Sequence, residues 1–317
     1  MSIKLQLKMN FEGYNKVVLW GFRTKWHTHR FIFQAYYENL KKAGIPVVWV
    51  DDRQSSQKVV QPGDIIFTAS NMYGKMVPKK NSLEDYHVPI RKDVYYCLHA
   101  ENEYFIDKLD KKQYIEIKYY SNEALLHEKI SEAVHYDSEK QVLYQAWGTN
   151  LLPEEFKTPV FSKTNFVFWV GSIWKGQKNE GNITEIGKLS NLLSKKRLFF
   201  LPTRFIPNMF NILLIRISRL APAIAGLTQV EKNYLPCRMF KNISYGQLGF
   251  SNIEKFNDIF TGCNVYDQDM EKQLDKVLAL SKDEYLDIVK KQQEICKSFT
   301  IAHHLNNIFI KINQVKK

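Results

Sequence analysis

The sequence has little of what marks a metal centre, a disulfide scaffold or a membrane span. Among its 317 residues are four cysteines, Cys97, Cys237, Cys263 and Cys296, far apart and without a Cys-x-x-Cys pair. Neither a zinc site nor a disulfide framework is signalled, and a reducing, cytoplasmic setting is the simpler expectation. The segment MSIKLQLKMNFEG lacks a continuous apolar core with a small-residue cleavage site, so no secretion leader is expected there. No window reaches the roughly 18 unbroken apolar residues of a spanning helix. The nearest, FIPNMFNILLI at 205–215, is bordered by Arg204, Arg216 and Arg219 and reads as a buried helix or as one lying on a membrane surface. Dense basic blocks and internal repeats are missing too.

What is present is core and positive charge. With 44% hydrophobic and 14% aromatic residues, a chain of this length can bury two cores of ordinary size. Lys and Arg number 45 against 33 Asp and Glu, a net charge of +12. That excess favours an anionic partner such as a nucleotide or an acidic membrane face. Its spread along the chain weighs against nucleic acid, which stays a rival that predicts a steep loss of affinity with salt.

The apolar pattern reads as α/β. KVVLWGF (16–22) is a short apolar run of the kind buried on both faces of a parallel sheet. The loop RTKWHTHR follows, then a helix with Phe31, Ala35, Tyr36 and Leu40 at helical spacing and Gly44 as its stop, then the strand VVWVDD (47–52). Strand, polar loop, helix and strand make a βαβ unit, whose ligand edge lies at the strand ends. Further strands are expected at 64–69, 94–100 and 115–120, with the irregular stretch SNMYGKMVPKKNSLED as an acceptor loop. The pattern breaks into turns around 144–159, where the domain boundary is placed, giving domains 1–155 and 156–317. FVFWVGSIW (166–174) starts a second βαβ unit. In it Asn182 and Glu185 offer a helix cap, and RLFFL (197–201) is the next strand. Ser251 and Glu254 have capping-box spacing, NVYD (264–267) reads as a last short strand, and 269–296 and 298–314 read as terminal helices.

The chain is organised around 219–252, RLAPAIAGLTQVEKNYLPCRMFKNISYGQLGFSN. Pro236 and Gly246 bracket a short helix over 236–245. On it Arg238, Lys241 and Tyr245 share one face by their i, i+3, i+7 spacing, close to amides that attract anions. A phosphate and sugar binder and a solvated basic face are the two readings of this helix. Upstream, Gly171 and Ser172 can bring backbone amides to a diphosphate, Gln229 can hydrogen-bond a base or sugar, and Ser251 or Asn252 a ribose or phosphate. Each of these polar residues also fits a cap or turn.

Two βαβ halves, the second with a Gly-Ser loop after its first strand and a basic helix ending in Gly, resemble glycosyltransferases of the GT-B fold. VGSIW (170–174) is similar to the donor-domain loop of bacterial and viral members. Arg238-Met239-Phe240-Lys241 followed by Tyr245-Gly246 is similar to the Arg-x-Phe-Glu segment of the CgeB-like group. Lys241 stands where that pattern carries the ribose-binding acid. The resemblance implies two Rossmann-like domains facing a cleft, with C-terminal helices. It also implies a nucleotide-diphosphate sugar as donor on the second domain, a saccharide or lipid-linked saccharide acceptor on the first, and no cofactor or bound metal. The Asp51-Asp52 pair lacks the Asp-x-Asp spacing of a metal-held diphosphate. Envelope or surface polysaccharide synthesis at the inner membrane face would suit such an enzyme. The other reading is a binding protein of the same fold without turnover.

Such a transfer needs a base for an acceptor hydroxyl. His27 and His29, directly behind the first strand, have a suitable intrinsic pKa. They equally fit a cap for the helix starting near Phe31, and as a His-x-His pair they lack a third metal ligand nearby. Asp52, with Asp51, ends the second strand and can bind hydroxyls, act as the base or cap a helix. Arg23 and Arg30 flank the histidines as acceptor ligands, and His99 and Glu101, which end another strand, are a second candidate base and acceptor contact or a surface turn. His303 and His304 read as a solvent-facing pair on the last helix.

Overall fold

The computed structural model describes residues 1–24, 28–51, 54–69, 88–99, 109–118, 134–175, 181–204 and 206–316. By its contacts the chain divides into two compact units. Residues 1–119, 134–145 and 301–317 form the first, and 120–133 with 146–300 the second.

In the first unit the chain runs through α1 (Ile3–Phe11), β1 (Val17–Trp20), α2 (Thr28–Lys42), β2 (Val47–Val50), β3 (Ile65–Ala69), β4 (Tyr95–His99), β5 (Tyr114–Lys118), β6 (Val134–Asp137) and β7 (Val142–Gln145). The sheet order is β2-β1-β3-β4-β5-β7-β6, parallel throughout except for the β6–β7 pair. Every residue of β1 is buried, as a continuous apolar run requires when a parallel sheet is covered on both sides. One face packs Val18, Trp20, Ile66, Tyr96 and Leu98 around Val60, Val88 and Leu109. On the other, Phe67 meets Tyr36 of α2 edge to face at 5.1 Å. The winding reverses between β1 and β3, so the carboxyl ends of those two strands form the switch point where open α/β sheets take their ligands. The fold is therefore α/β and Rossmann-like. The stretch assigned to an acceptor loop lies outside the described residues.

The second unit contains β8 (Phe166–Val170), α3 (Ile183–Lys195), β9 (Phe199–Thr203), α4 (Asn208–Ile217), α5 (Leu227–Glu231), α6 (Cys237–Ser244), α7 (Phe256–Ile259), α8 (Met270–Ala279) and α9 (Lys282–Cys296). Strands β8 and β9 are parallel, from Phe166 opposite Phe199 to Val170 opposite Thr203. Short extended pieces prolong this sheet. Arg219 N donates to Phe166 O at 2.8 Å and Phe168 N to Leu220 O at 3.0 Å, and Ala223 N reaches Phe250 O at 2.7 Å. Alternation along β8 sends Val167 and Trp169 toward Ile186, Leu189 and Leu193 of α3, and Phe168 toward Ile215 of α4. Helices α3 and α4 thus cover opposite faces.

The last helix, α10 (Ile301–Val315), lies in the first unit, not with the second half to which the sequence reading joined it. Its partner is α1, which that reading did not anticipate. Ile3, Leu7 and Phe11 recur every four residues and are buried, and Phe11 meets Phe309 at 5.5 Å between ring centroids.

Several local expectations change. Residues 264–267 form no strand. Ser251 accepts from Ile253 N and donates to Ala223 O at 2.9 Å instead of capping, and α7 begins only after Lys255. His304 is fully buried and His303 half-buried, so they are not a solvent-facing pair. Burial lowers the pKa of both, that of His304 to about 3. The segment expected as a buried helix keeps only Ile215 of α4 fully buried. The stretch 269–296 is two helices, as a break near Ser281 in its pattern predicts, and the second starts with a capping box in which Ser281 Oγ accepts from Glu284 N and Glu284 Oε2 from Ser281 N.

Candidate functional site

The described site residues that come together do so at the carboxyl end of β8. Gly171 follows the strand and donates its N–H to Thr203 O at 3.0 Å, tying the loop to the end of β9. Beside it the Arg238 guanidinium lies over the Trp169 ring, 4.4 Å from the centroid, and donates to Ile224 O at 3.2 Å. Desolvation lowers the pKa of Arg238. No carboxylate among the described residues pairs with it. Residue 171 must be glycine for the arginine to sit there. A β-carbon would stand 2.4 Å from Arg238 Nη2 and 2.8 Å from Trp169 Cη2.

The indole Nε1 of Trp169 and the hydroxyl of Thr203 are buried without a hydrogen-bond partner among the described residues. Unmade bonds of that kind each cost about 1–3 kcal/mol. Trp169 Nε1 belongs to the ring that carries the desolvated Arg238, so a polar, anionic ligand there can repay its cost, whereas Thr203, paired with Val170, projects from the α4 face of the sheet.

Asn182 organises the loop. Its side chain turns away from its own helix, accepting from Trp174 N at 3.0 Å and donating to Ser172 O at 3.0 Å. The helix cap expected of it is therefore not made, and the first amides of α3 have no side-chain cap. Ser172 and Trp174 are both exposed, Trp174 by 42%. The next wall is the Pro-Ala-Ile-Ala-Gly segment. Asn252 grips Ala225 from both sides, with Oδ1 accepting its N–H and Nδ2 donating to its C=O, each at 2.9 Å. Gly226 lies so close to Gly181 that a β-carbon would be 2.5 Å from Gly181 O. Gln229 is used internally, its Oε1 accepting from Gly226 N at 3.2 Å.

Helix α6 carries Arg238 and half-buried Lys241, with Pro236 at the N-cap, one residue earlier than a first-turn position, and Gly246 in the left-handed conformation at φ +88°. Tyr245 does not join the two cations. It is fully buried, with its hydroxyl donating to Asn150 Oδ1 at 2.7 Å, because the helix ends before the i+7 position is reached. Ser251 is likewise buried under Ala223 and cannot meet a ligand directly.

In the first unit, Arg23 is exposed and donates to Trp49 O at 2.9 Å, bridging the ends of β1 and β2. Arg30 is half-buried in the first turn of α2. His99 is not at the surface. Its ring is buried against Phe33, Tyr36 and Phe67 at 5.5–6.0 Å, because β4 is covered on both faces through to its last residue. His27, Asp52 and Glu101 lie outside the described residues, as does the side chain of His29.

Three contributors went unseen in the sequence: Trp169, Trp174 and Asn182 as a loop clamp. Both tryptophans stand in the quoted FVFWVGSIW, where aromatics flanking a Gly-Ser loop were the available signal. The sequence also contains an Asp-x-Asp triplet, Asp267-Gln268-Asp269. Asp269 caps α8 through Glu271 N, and Lys276 bonds Asp267 and lowers its pKa. Among the described residues no group of three or more His, Cys, Asp or Glu could hold a metal ion.

No protein-family model matches this chain, and no curated protein matches it. Among solved structures, the N-terminal domain of Candida albicans trehalose-6-phosphate phosphatase is similar, with a TM-score of 0.49 and 11% identity over 99% of this chain and 93% of that one. At that score and identity the likeness decides neither fold nor activity.

Proposed function

We propose that the protein is a glycosyltransferase of the GT-B type, with the second unit holding a nucleotide-diphosphate sugar and the first its saccharide or lipid-linked acceptor. The observation that carries the proposal is the Arg238 guanidinium, laid on Trp169 beside Gly171 at the end of a parallel strand. A desolvated cation with unpaired Trp169 Nε1 nearby suits a diphosphate, whose leaving-group charge it would stabilise; the Gly171 amide, expected to face that ligand, is instead bonded to Thr203 O. Trp174, exposed on the clamped loop, offers a surface for a nucleobase. Lys241 is the second candidate for phosphate charge. His27, His29 and Asp52 are the candidate bases, and no cofactor or metal is required by this scheme.

The test is a melting-temperature panel with UDP-, GDP-, CMP- and dTDP-sugars. A ligand that binds only the folded state at about a hundredfold excess over Kd stabilises it by ~2.7 kcal/mol. One nucleotide class should raise the melting temperature of the native chain and fail to do so for Arg238→Ala. A flat response to the whole panel would sink the proposal. Normal turnover in a His27→Ala, His29→Ala double variant would leave Asp52 as the base candidate.

A second reading rests on Lys241, a cation where the resembled pattern has an acid. It makes the protein a nucleotide-sugar or glycan binder without turnover. Donor hydrolysis or transfer by the purified chain excludes it, whereas saturable binding without product favours it.

A further inference from the structure

Helix α4 has two apolar sides and only one is used. Ile212, Leu214 and Ile215 pack with Phe166, Phe168, Val170 and Leu201 beneath it. On the outer side Met209 is 81% exposed, Phe210 58%, Leu213 51% and Ile217 43%. At 3.6 residues per turn these four fall within a wedge of about 100°. The patch continues onto the sheet. Phe199, 63% exposed, is paired with Phe166 and so projects from the α4 side of β9. The segment that closes the patch at this end is fixed to α4 by Ser162 Oγ and Thr164 Oγ1, which both donate to Ile217 O. It brings exposed Lys163 alongside.

The chain that builds this face carries charge of one sign. Between Glu185 and Glu231 the sequence has no carboxylate side chain and seven cations, of which Lys188 pairs with Glu185 and Lys196 with Asp275. Exposed Lys195 and Arg197 immediately precede β9, and exposed Arg204 immediately follows it. Exposed apolar side chains on a helix, rimmed by Lys and Arg without an acid, match a surface that offers anionic headgroups above acyl chains. The same charge weighs against a second copy of the chain, which would set cationic rims against each other.

We propose that the outer face of α4, with Phe199, is a peripheral docking surface for an anionic lipid bilayer. Met209, Phe210, Leu213 and Ile217 enter the headgroup and acyl boundary, and Lys163, Arg197 and Arg204 engage lipid phosphates. The assignment does not depend on what the β8 end binds. Among the described residues no helix is long and apolar enough to cross a membrane, so this is attachment in the plane of the surface.

The test is co-sedimentation of the full chain with phosphatidylcholine vesicles, with and without roughly 30 mol% phosphatidylglycerol, at low and high salt. The native chain should bind the anionic vesicles, release at high salt, and ignore pure phosphatidylcholine. Met209→Ser with Leu213→Ser, both at exposed positions that leave the inner packing intact, should weaken binding by about tenfold or more. Arg197→Glu with Arg204→Glu should abolish it with the melting temperature unchanged. Three results would overturn the proposal. They are no binding to the anionic vesicles, equal binding to both vesicle types, and native binding by the Met209/Leu213 variant. Self-association that the same variant removes, in place of vesicle binding, would assign the face to a second copy.

Discussion

Adding one methyl group at residue 171 should uncouple the cation from the strand end. In Gly171→Ala the new carbon would stand 2.4 Å from Arg238 Nη2 and 2.8 Å from Trp169 Cη2, distances no side chain sustains. The indole is buried to 1% exposure and cannot retreat, so the guanidinium, at the end of a flexible chain, moves off the ring. The losses are a cation–π contact, about 0.5–2 kcal/mol, and a hydrogen bond to Ile224 O, about 1 kcal/mol. A stability loss of roughly 1–3 kcal/mol follows, each kcal/mol costing about 2–4 °C in Tm for a unit of this size. Donor affinity should fall by about tenfold to a hundredfold, the worth of one charge-assisted contact. Calorimetric titration with the nucleotide that raises the native melting temperature reads the affinity, and urea denaturation reads the stability. The decisive comparison is a double-mutant cycle with Arg238→Ala. If Gly171→Ala acts by displacing the arginine, its affinity penalty disappears once the arginine is gone. Penalties that simply add would refute the reasoning.

Other perturbations probe the same walls and the core of the first unit. Asn252→Ala leaves both polar groups of Ala225 without their partner and should cost about 1–3 kcal/mol in urea denaturation, with donor affinity falling alongside. Gly226→Ala meets backbone at Gly181, which cannot swing aside, so a loss of about 1–3 kcal/mol is expected, and a fully stable variant would contradict the packing. Lys241→Ala should weaken donor binding and turnover together; an inactive protein with unchanged donor affinity would remove its phosphate role. His304 gives a pH signature. Its folded pKa of about 3 lies below the ordinary 6.5, so below pH 6.5 the unfolded chain binds a proton that the folded chain does not. Stability is complete above 6.5 and falls as pH drops toward 3, by up to about 1.4 kcal/mol per pH unit. Denaturation of His304→Leu should lack this component between pH 6.5 and 5; an unchanged pH profile would show that burial of His304 is not its source.

The sheet of the first unit was legible where its strands are buried on both faces. KVVLWGF needs no alternation to be found, since a doubly covered parallel strand reads as an unbroken apolar run, whereas VVWVDD lies at the sheet edge with Val48 exposed and was marked by its β-branched composition alone. Helix α1 escaped because its sequence IKLQLKMNF alternates apolar and polar residues, so that exposed Leu5 and Met9 stand between the buried Ile3, Leu7 and Phe11 and no helical stripe shows. Its partner α10 lies some 290 residues later in sequence, beyond any local pattern. The hairpin of β6 and β7 was hidden for a different reason. Val134–Asp137 is only half-buried, and the turn uses Gln141 at φ +56° where a glycine or asparagine would have announced it.

At the β8 end, residue types were legible and their commitments were not. Helical spacing put Arg238, Lys241 and Tyr245 on one face, but spacing holds only while the helix lasts, and α6 stops at Ser244. One residue past that end, Tyr245 points into the core and Asn150 takes its hydroxyl. Ser251 and Asn252 both read as ligand contacts, yet a hydroxyl or amide beside an extended segment can serve backbone as well as ligand. Here Ala223 and Ala225 claim them. Arg238 is different because the groups that hold it cannot neutralise it. An aromatic face and one carbonyl fix the guanidinium in place but leave its charge uncompensated, and that residual charge, at a strand end narrowed to glycine, is what an anionic ligand can still take up.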